Sequence, residues 1–254
     1  MKISRFLRQT LIDYPEKLAA EIFVAGCNYK CYSCHAKHII EGGQFYDEQE
    51  VLSYLKKTRG FIGGVVICGG EPTLQYDLPE FLERIKKETG LLIKLDTNGS
   101  NSEVLEKLIE KKLVDYIALD IKGSKNLYPV LTGESDAVLN VERSIAIIQK
   151  APDYEFRTTV VPIIRTEKTG EKSWMTLDET KEMAEWVSDF VNINKREVRW
   201  YLQKFIARRR EETAMLDERF CKENLKEGMR QTPEDVLIKL RDVIIKYFPR
   251  CEIR

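Results

Sequence analysis

Short apolar runs alternate with longer amphipathic segments along most of the 254-residue chain. The apolar runs predict six β-strands, at Ala20–Ala25, Gly64–Cys68, Leu91–Leu95, Tyr116–Leu119, Glu155–Val161 and Val198–Leu202. Helices are predicted between these strands, at Asp47–Thr58, Leu78–Thr89, Asn101–Lys112, Ala137–Lys150 and Leu177–Phe190. Because strand–helix alternation produces parallel sheets with right-handed crossovers, the pattern predicts an α/β fold, a partial (βα)6 barrel.

The C-terminal segment has a different character. From about Ile206 the sequence is rich in charge, and it ends in an amphipathic stretch, about Pro233 to Tyr247, that predicts a helix. We expect a single domain over residues 1–254, with a barrel core at about 17–205 and a C-terminal helical extension at about 206–254. The basic segment Lys204–Arg210 at the junction is interpreted as a solvated helix face, or else as a surface that docks an acidic partner.

Charge and composition narrow the function classes. The 41 basic and 41 acidic residues cancel, whereas nucleic-acid binders are usually more basic, so a nucleic-acid partner is disfavoured. No apolar run approaches the roughly 18 residues of a membrane span, and residues 1–17 lack the apolar core of a signal peptide. We therefore expect a cytoplasmic protein with no membrane partner. In that reducing compartment, clustered thiols indicate metal or redox chemistry rather than disulfides.

Polar clusters follow the predicted strands. They are the cysteine loop after the first strand, Gly69–Thr73 (GGEPT) after the second, Asp96–Gly99 (DTNG) after the third, Asp120–Lys122 (DIK) after the fourth, Arg157 on the fifth, and Gln203–Lys204 at the end of the sixth. Taken singly, the glycine-containing segments are also typical of plain turns. In a parallel barrel, however, the carboxyl ends of all strands open on one face, so we expect these clusters to line one cleft.

The cysteine loop holds the strongest chemical signal. Cys27, Cys31 and Cys34 are spaced C-x3-C-x2-C, and no other cysteine follows for 33 residues. A structural zinc site normally has four ligands, so one interpretation is a zinc site with His35 as the fourth. Against it, His35 directly follows Cys34, which makes an awkward chelate, and a second cysteine pair is missing. The remaining cysteines are scattered and are predicted to be ordinary thiols: Cys68, Cys221 and Cys251.

With Gly69–Pro72 (GGEP) following about 35 residues later, this motif resembles that of the radical S-adenosylmethionine (SAM) superfamily. The resemblance implies that Cys27, Cys31 and Cys34 are metal ligands of the catalytic site and hold three irons of a [4Fe–4S] cluster. The amino and carboxylate groups of SAM would occupy the fourth iron. An electron from the reduced cluster would then cleave SAM to methionine and a 5′-deoxyadenosyl radical, which removes a hydrogen atom from a substrate.

A narrower resemblance is to the activating enzymes of glycyl-radical proteins. The segments that carry it are Thr10–Cys31 (TLIDYPEKLAAEIFVAGCNYKC), Leu95–Gly99 (LDTNG), Leu119–Lys122 (LDIK) and Tyr128–Gly133 (YPVLTG). The first segment is most similar to the activating proteins of anaerobic ribonucleoside-triphosphate reductase, and the others also resemble pyruvate formate-lyase activase. The similarity runs from about Phe6 to about Phe205.

This resemblance implies roles for residues outside the cysteine motif. The residues implied at the methionine amino end of SAM are Gly69, Gly70 and Glu71. Those implied near its ribose and carboxylate are Asp96, Asp120 and Lys122. In the formate-lyase activase, the residues at the positions of Asp96, Thr97 and Asp120 also hold a monovalent cation, and clustered oxygen ligands suit a hard cation.

The expected function is therefore to install a glycyl radical on a partner enzyme by removing a glycine Cα hydrogen. The resemblance implies an anaerobic ribonucleotide reductase as partner and a ferredoxin or flavodoxin as electron donor. Two alternatives stand beside it: a radical SAM enzyme that acts on a peptide, a cofactor precursor or a tRNA base, and a zinc-stabilised interaction module. The chain departs from the family at Ser33, where an aromatic residue usually precedes the third cysteine, with Tyr32 one place earlier.

Overall fold

The computed structural model describes residues 1–192, 194–209 and 217–254. Its strands are β1 (Ile3–Thr10), β2 (Ala19–Val24), β3 (Gly64–Gly69), β4 (Leu92–Thr97), β5 (Tyr116–Asp120), β6 (Tyr154–Val160), β7 (Ile163–Thr166), β8 (Glu171–Ser173), β9 (Arg199–Lys204) and β10 (Arg250–Ile253). Its helices are α1 (Lys37–Glu41), α2 (Glu48–Thr58), α3 (Leu78–Thr89), α4 (Ser102–Glu110), α5 (Tyr128–Thr132), α6 (Ala137–Ile148), α7 (Leu177–Phe190) and α8 (Glu234–Ile244). Strands and helices alternate, as the apolar pattern predicts.

One large sheet organises the molecule. Its strand order is β1-β2-β3-β4-β5-β6-β9-β10, while β7 and β8 form a separate hairpin. Neighbouring strands of the large sheet are parallel, except that β1 pairs antiparallel with β2. The six predicted strands correspond to β2, β3, β4, β5, β6 and β9. The predicted α/β partial barrel is therefore confirmed, with β1 and β10 at its two edges.

Sequence analysis missed both edge strands. β10 spans four residues, too short to show a period, and β1 mixes polar and apolar residues without a buried run. The C-terminal extension is consequently not only helical as predicted. Helix α8 forms where it was expected, but β10 then adds a further strand parallel to β9. Residues 210–216 of this extension lie outside the described residues.

The interpretation of Lys204–Arg210 as a helix face is wrong for its described part. Lys204 ends β9, and Ile206 forms an isolated antiparallel bridge with Gln231. Thr232 fastens the same stretch, because its Oγ1 accepts from Phe205 N (2.9 Å) and donates to Val160 O (2.7 Å). This part of the chain is thus held against β6 in an extended form, and Arg210 lies outside the described residues.

The main core lies between the outer face of the sheet and the helices. The outward strand residues are apolar and include Ile22, Ile67, Leu95, Leu119, Phe156 and Leu202. Trp200 is fully buried there, with its ring 5.4 Å from that of Phe156 and 5.1 Å from that of Phe248. Because Phe248 follows α8, this aromatic group ties the C-terminal segment to the barrel core.

Side chains fix where the longer helices begin. The Asp47 side chain accepts from Gln49 N (2.7 Å) and Glu50 N (3.1 Å) at the start of α2. At α7 a full capping box forms, in which Thr176 and Glu179 each accept from the other's backbone N–H. None of the described helices is both long enough and apolar enough to cross a membrane.

Candidate active site

The loop after β2 carries the cysteine motif and is tied to neighbouring elements. Gly26 N donates to Ile40 O (2.8 Å), which anchors the loop to α1. Lys30 N donates to Thr132 O (2.7 Å) at the end of α5. The YPVLTG segment that forms α5 therefore acts as a support for the cysteine loop.

The three motif thiols line one cavity and are half-buried. Burial raises the pKa of Cys27 and Cys34 and raises that of Cys31 to about 11. Asn98 Nδ2 lies 3.8 Å from Cys27 Sγ and donates to it. The thiols are thus neutral near pH 7, and a metal that binds them must displace their protons.

The zinc interpretation requires His35 and the three thiols around one ion. Among the residues that the structure describes, no group of three or more His, Cys, Asp or Glu side chains could hold a metal ion in this way. The same is true of the three motif thiols without His35, so the structure does not separate the zinc interpretation from the cluster interpretation, and both stay predictions. The cysteines outside the motif are all buried: Cys68, Cys221 and Cys251.

The glycine pair after β3 lets two loops touch. Gly69 has φ +113°, and a Cβ there would lie 2.5 Å from Val24 N. A Cβ on Gly70 would lie only 1.8 Å from Gly26 O. In this contact Gly70 N donates to Val24 O and Glu71 N donates to Gly26 O, each at 2.8 Å. The pair is thus required for β3 to dock against the start of the cysteine loop.

Glu71 lies behind the wall of the cavity. It is fully buried and accepts from Thr73 Oγ1 (2.6 Å), Thr97 Oγ1 (2.8 Å) and Asn98 N (2.7 Å), and also from Thr73 N (3.0 Å). Burial raises its pKa, although these hydrogen bonds act in the opposite direction. The carboxylate thereby fastens the loop after β3 to the loop after β4.

A line of alternating charges crosses the inner face of the sheet. Arg157 donates to Asp96 (2.6 Å) and, through two nitrogens, to Asp120 (3.1 and 3.2 Å). Lys122 pairs with Asp120 (2.8 Å), and Lys94 pairs with Asp96. Each aspartate therefore has two cationic partners.

The contacts among Asp120, Lys122 and Arg157 hold these three groups in their ionised states. Burial alone would raise the pKa of Asp120, but the charges of Lys122 and Arg157 outweigh it and lower the pKa to about 2. Burial likewise would lower the pKa of Lys122 and Arg157, yet the aspartates raise both. The two aspartates are thus compensated by cations from within the chain, and Glu155 also acts on Arg157 from the same face of the sheet.

The cavity at the carboxyl edge of the sheet has a volume of about 260 Å³. The predicted site residues that line it are Cys27, Cys31, Cys34, Gly69, Gly70, Asp96, Asp120 and Lys122. Glu71 is the one predicted residue absent from this lining. Asn98 and Arg157 line it as well, as expected for the strand-end clusters, whereas Tyr29 and Phe205 line it without having been predicted. The available signal for Arg157 was its place on the predicted fifth strand, two residues after Glu155 on the same face.

The aromatic residues near the cysteine loop are arranged differently from the family pattern. Tyr32 is buried and stacks on Phe220, with ring centroids 4.3 Å apart, outside the cavity lining. Ser33 does line the cavity, and Phe205 supplies an aromatic ring to it. Phe220 of the C-terminal extension thus supports the cysteine loop, and Phe205, directly before that extension, contributes to the wall of the cavity.

A wider groove of about 810 Å³ adjoins the cavity. His35, Ala36, Cys68 and Gly69 line both spaces, so the groove leads from the cavity towards β1. Its other lining residues are Ser4, Arg5, Phe23, His38, Ile39, Tyr46 and Arg208. No acidic side chain of the described residues lines it, which leaves it basic and partly aromatic.

Comparisons with known proteins identify the family and the fold. The sequence model of the radical SAM superfamily matches residues 22–179. One protein of Methanocaldococcus jannaschii is 36% identical over 172 residues, which cover 65% of this chain and 71% of that protein. A second protein of the same organism is 31% identical over 173 residues, which cover 65% of this chain but only 61% of that protein. Both are provisionally named glycyl-radical enzyme activating enzymes.

Solved structures share the fold at low sequence identity. TYW1, in a structure with a lysine–pyruvate adduct bound, has a TM-score of 0.55 and 14% identity, covering 90% of this chain and 73% of that chain. SuiB of Streptococcus suis, bound to its precursor peptide SuiA, has a TM-score of 0.59 and 15% identity, covering 92% of this chain and 48% of that chain. At these identities the likeness concerns the fold alone.

Proposed function

Because the chain belongs to the radical SAM superfamily, we propose that it holds a [4Fe–4S] cluster through Cys27, Cys31 and Cys34, cleaves SAM there, and installs a glycyl radical on a partner protein. The observation that carries this proposal is the meeting of four strand-end loops in one cavity. The cysteine loop, Gly69–Gly70, Asp96 and Asp120–Lys122 all line it. When bound, the cluster supplies the electron that splits SAM into methionine and a 5′-deoxyadenosyl radical.

The donor chemistry of these residues suits such a cluster. Soft thiolate ligands favour iron–sulfur clusters, and three of them leave one iron free for a further ligand. The cysteine loop is fixed by backbone hydrogen bonds to α1 and α5, so it needs no metal to define its path. Asn98 Nδ2 also donates to Cys27 Sγ, a contact that would stabilise the thiolate form.

The surrounding wall suits the parts of SAM. Lys122 and Arg157 provide positive charge for the methionine carboxylate, and the half-buried backbone of Gly69 and Gly70 lines the cavity where the amino end would lie. Phe205, with Val161, gives an apolar side against which the adenine could pack. Glu71 is proposed to act on SAM indirectly, because it positions the loops that carry Gly70 and Asn98.

The activating role rests on the Methanocaldococcus relatives and on the open groove. A protein substrate must bring a loop to the cavity, and the groove of about 810 Å³ gives an extended route to it. Its basic lining from Arg5 and Arg208 would favour a partner loop of acidic character. The proposed partner is an anaerobic ribonucleotide reductase, with a ferredoxin or flavodoxin as the electron donor.

The proposal is tested by measuring the products of the anaerobically reconstituted, reduced protein with SAM. We expect 5′-deoxyadenosine and methionine in equal amounts, slowly without a partner and faster with a peptide that spans a partner's glycine loop. That peptide should acquire a glycyl-centred signal in electron paramagnetic resonance.

Charge reversal at Arg5 and Arg208 should weaken stimulation by an intact partner several-fold, since exposed charges act mainly on encounter. Arg143→Glu, at an exposed position on α6 outside the groove, is the matched control. If a small metabolite or a tRNA drives stoichiometric deoxyadenosine formation while no glycyl-radical protein gives a signal, the activating role is refuted.

A further inference from the structure

The space between Asp96 and Asp120 is where the family resemblance implies a bound monovalent cation. We propose that Arg157 takes the place of that cation, so that this chain binds SAM without one. The inference rests on the proposed binding of SAM in this cavity. In this arrangement Arg157 bridges the two aspartates and also faces the methionine carboxylate as a fixed positive group.

Arg157 already occupies the position that a cation would need. Its guanidinium bridges the two carboxylates, at 2.6 Å from Asp96 and at 3.1 and 3.2 Å from Asp120. A cation shared by these carboxylates would have to displace Arg157. Such a displacement would separate half-buried ion pairs and leave the guanidinium without its partners, which is unfavourable.

The remaining oxygens of the implied site are also committed. Asp96 pairs with Lys94, and Asp120 pairs with Lys122 at 2.8 Å. Thr97 Oγ1 donates to Glu71 (2.8 Å) and accepts from Gly99 N (3.1 Å). The residues implied as cation ligands therefore do not fit a bound ion, because each has partners from within the chain.

Net charge leads to the same conclusion. Lys94, Arg157 and Lys122 contribute three positive charges beside the two negative charges of Asp96 and Asp120, and Glu155 also acts on Arg157 from the same face. The two carboxylates at the implied cation position are therefore already compensated from within the chain, so they offer little attraction to a further cation. A carboxylate, in contrast, would be attracted, and Arg157 and Lys122 both line the cavity where it would lie.

The strand register explains how one arginine reaches both aspartates. Arg157 on β6 pairs in register with Asp120 on β5, while Asp96 lies one strand farther away on β4. The β5 residue opposite Asp96 is Ala118, which is small enough for the arginine side chain to cross β5. A guanidinium has five N–H donors, and the contacts to the aspartates use three of them. The others remain for a ligand carboxylate.

The test is the affinity for SAM, measured anaerobically by equilibrium dialysis with the cluster-loaded protein at constant ionic strength. Three buffers are compared, each with a single monovalent cation: Na⁺, K⁺ or tetramethylammonium. Tetramethylammonium serves as the reference because it is too large for such a site. We expect the dissociation constant of the unmodified protein to change less than about twofold among these buffers. Arg157→Met should weaken binding in tetramethylammonium by roughly 10- to 150-fold, and K⁺ should restore part of it.

Arg199→Met is the matched control, because Arg199 pairs with Asp153 and does not line the cavity. We expect it to bind SAM like the unmodified protein in every buffer.

If Arg157→Met loses iron, Arg157→Lys is used in its place. Its SAM affinity should be lower than that of the unmodified protein but should still not depend on the cation in the buffer. A tenfold gain in SAM affinity of the unmodified protein on adding K⁺ would overturn the inference and leave the proposed function intact. If the unmodified protein binds no SAM in any buffer, the proposed function itself fails.

Discussion

The two faces of the central sheet differ sharply in chemistry, although they are built from the same strands. The outer face presents apolar residues to the helices, for example Ile67, Leu119 and Leu202. The inner face carries Glu21, Lys94, Asp96, Asp120, Glu155 and Arg157. Strands of fully covered parallel sheets are usually apolar on both faces. Here the alternation separates the two tasks: the outer face stabilises the fold, and the inner face is available for chemistry.

The inner charges are tolerated because each one has a partner. Glu155, for instance, is fully buried, accepts from Tyr116 OH at 2.5 Å, and lies 3.5 Å from Arg254. Buried ionic groups of this kind seldom add stability over apolar residues of the same size. The comparison therefore teaches that inner-face substitutions should alter binding and pH behaviour, whereas outer-face substitutions should alter the free energy of unfolding.

The largest expected effect concerns the cysteines. Alanine at Cys27, Cys31 or Cys34 should abolish binding of the cluster, because each thiolate would hold a different iron. Alanine at Cys251, which lies in the outer core, should leave the iron content unchanged. Iron and sulfide are measured after anaerobic reconstitution. A Cys34→Ala protein that still holds a full cluster would contradict the assignment.

A large loss of stability is expected from the outer face. Trp200→Ala removes a fully buried side chain between Phe156 and Phe248, and should lower the free energy of unfolding by about 3–5 kcal/mol. Its strand neighbour Gln203 lies on the inner face, where it accepts from Thr159 at 3.3 Å. Gln203→Ala should cost less than about 1 kcal/mol. Urea unfolding measures both, and similar losses would refute the division between the faces.

Glu71→Ala should weaken SAM binding by roughly 10- to 150-fold, equivalent to one charge-assisted hydrogen bond of about 1.5–3 kcal/mol. The reason is loss of the carboxylate that joins Thr73 to Thr97 and Asn98, which lets the two loops move apart. Glu71→Gln keeps one oxygen acceptor and should lose less. Calorimetric titration with SAM is the measurement, and an unchanged affinity in the alanine variant would remove Glu71 from the site.

The smallest expected effect is a change in the pH dependence of stability when Glu21, on the inner face of β2, is replaced. Burial raises the pKa of Glu21 to about 7, although Cys68 Sγ donates to its carboxylate at 3.1 Å. The folded protein then holds the proton more tightly than the unfolded chain, so the stability of the protein falls as pH rises from about 4.5 to about 7. Glu21→Gln should thus stabilise by on the order of 2 kcal/mol at pH 8 and by little at pH 4. Thermal unfolding at both pH values checks this. An equal change in stability at pH 4 and pH 8 would show that Glu21 does not titrate between these pH values.

Local signals made much of this arrangement predictable. The six central strands follow from short apolar runs, and the cysteine motif follows from spacing alone. The two edge strands were not predicted, because β10 is short and β1 gains its partner only in the folded sheet. The ties of Glu71 to Thr97 and of Arg157 to Asp96 span 26 and 61 residues, so they depend on the tertiary fold. Sequence therefore predicted most of the residues that line the cavity, but not the side-chain contacts that join its walls.

The contact of Gly70 with Gly26 has a consequence for how such chains are recognised. A side chain at Gly70 would collide with the backbone of the cysteine loop whether or not a cofactor is present. A descendant that had lost its cysteines, and with them its redox chemistry, would still be under selection to keep the glycine pair. In a genome survey the glycine pair therefore reports the close packing of these two loops, and the three cysteines beside it report whether the thiol ligands remain.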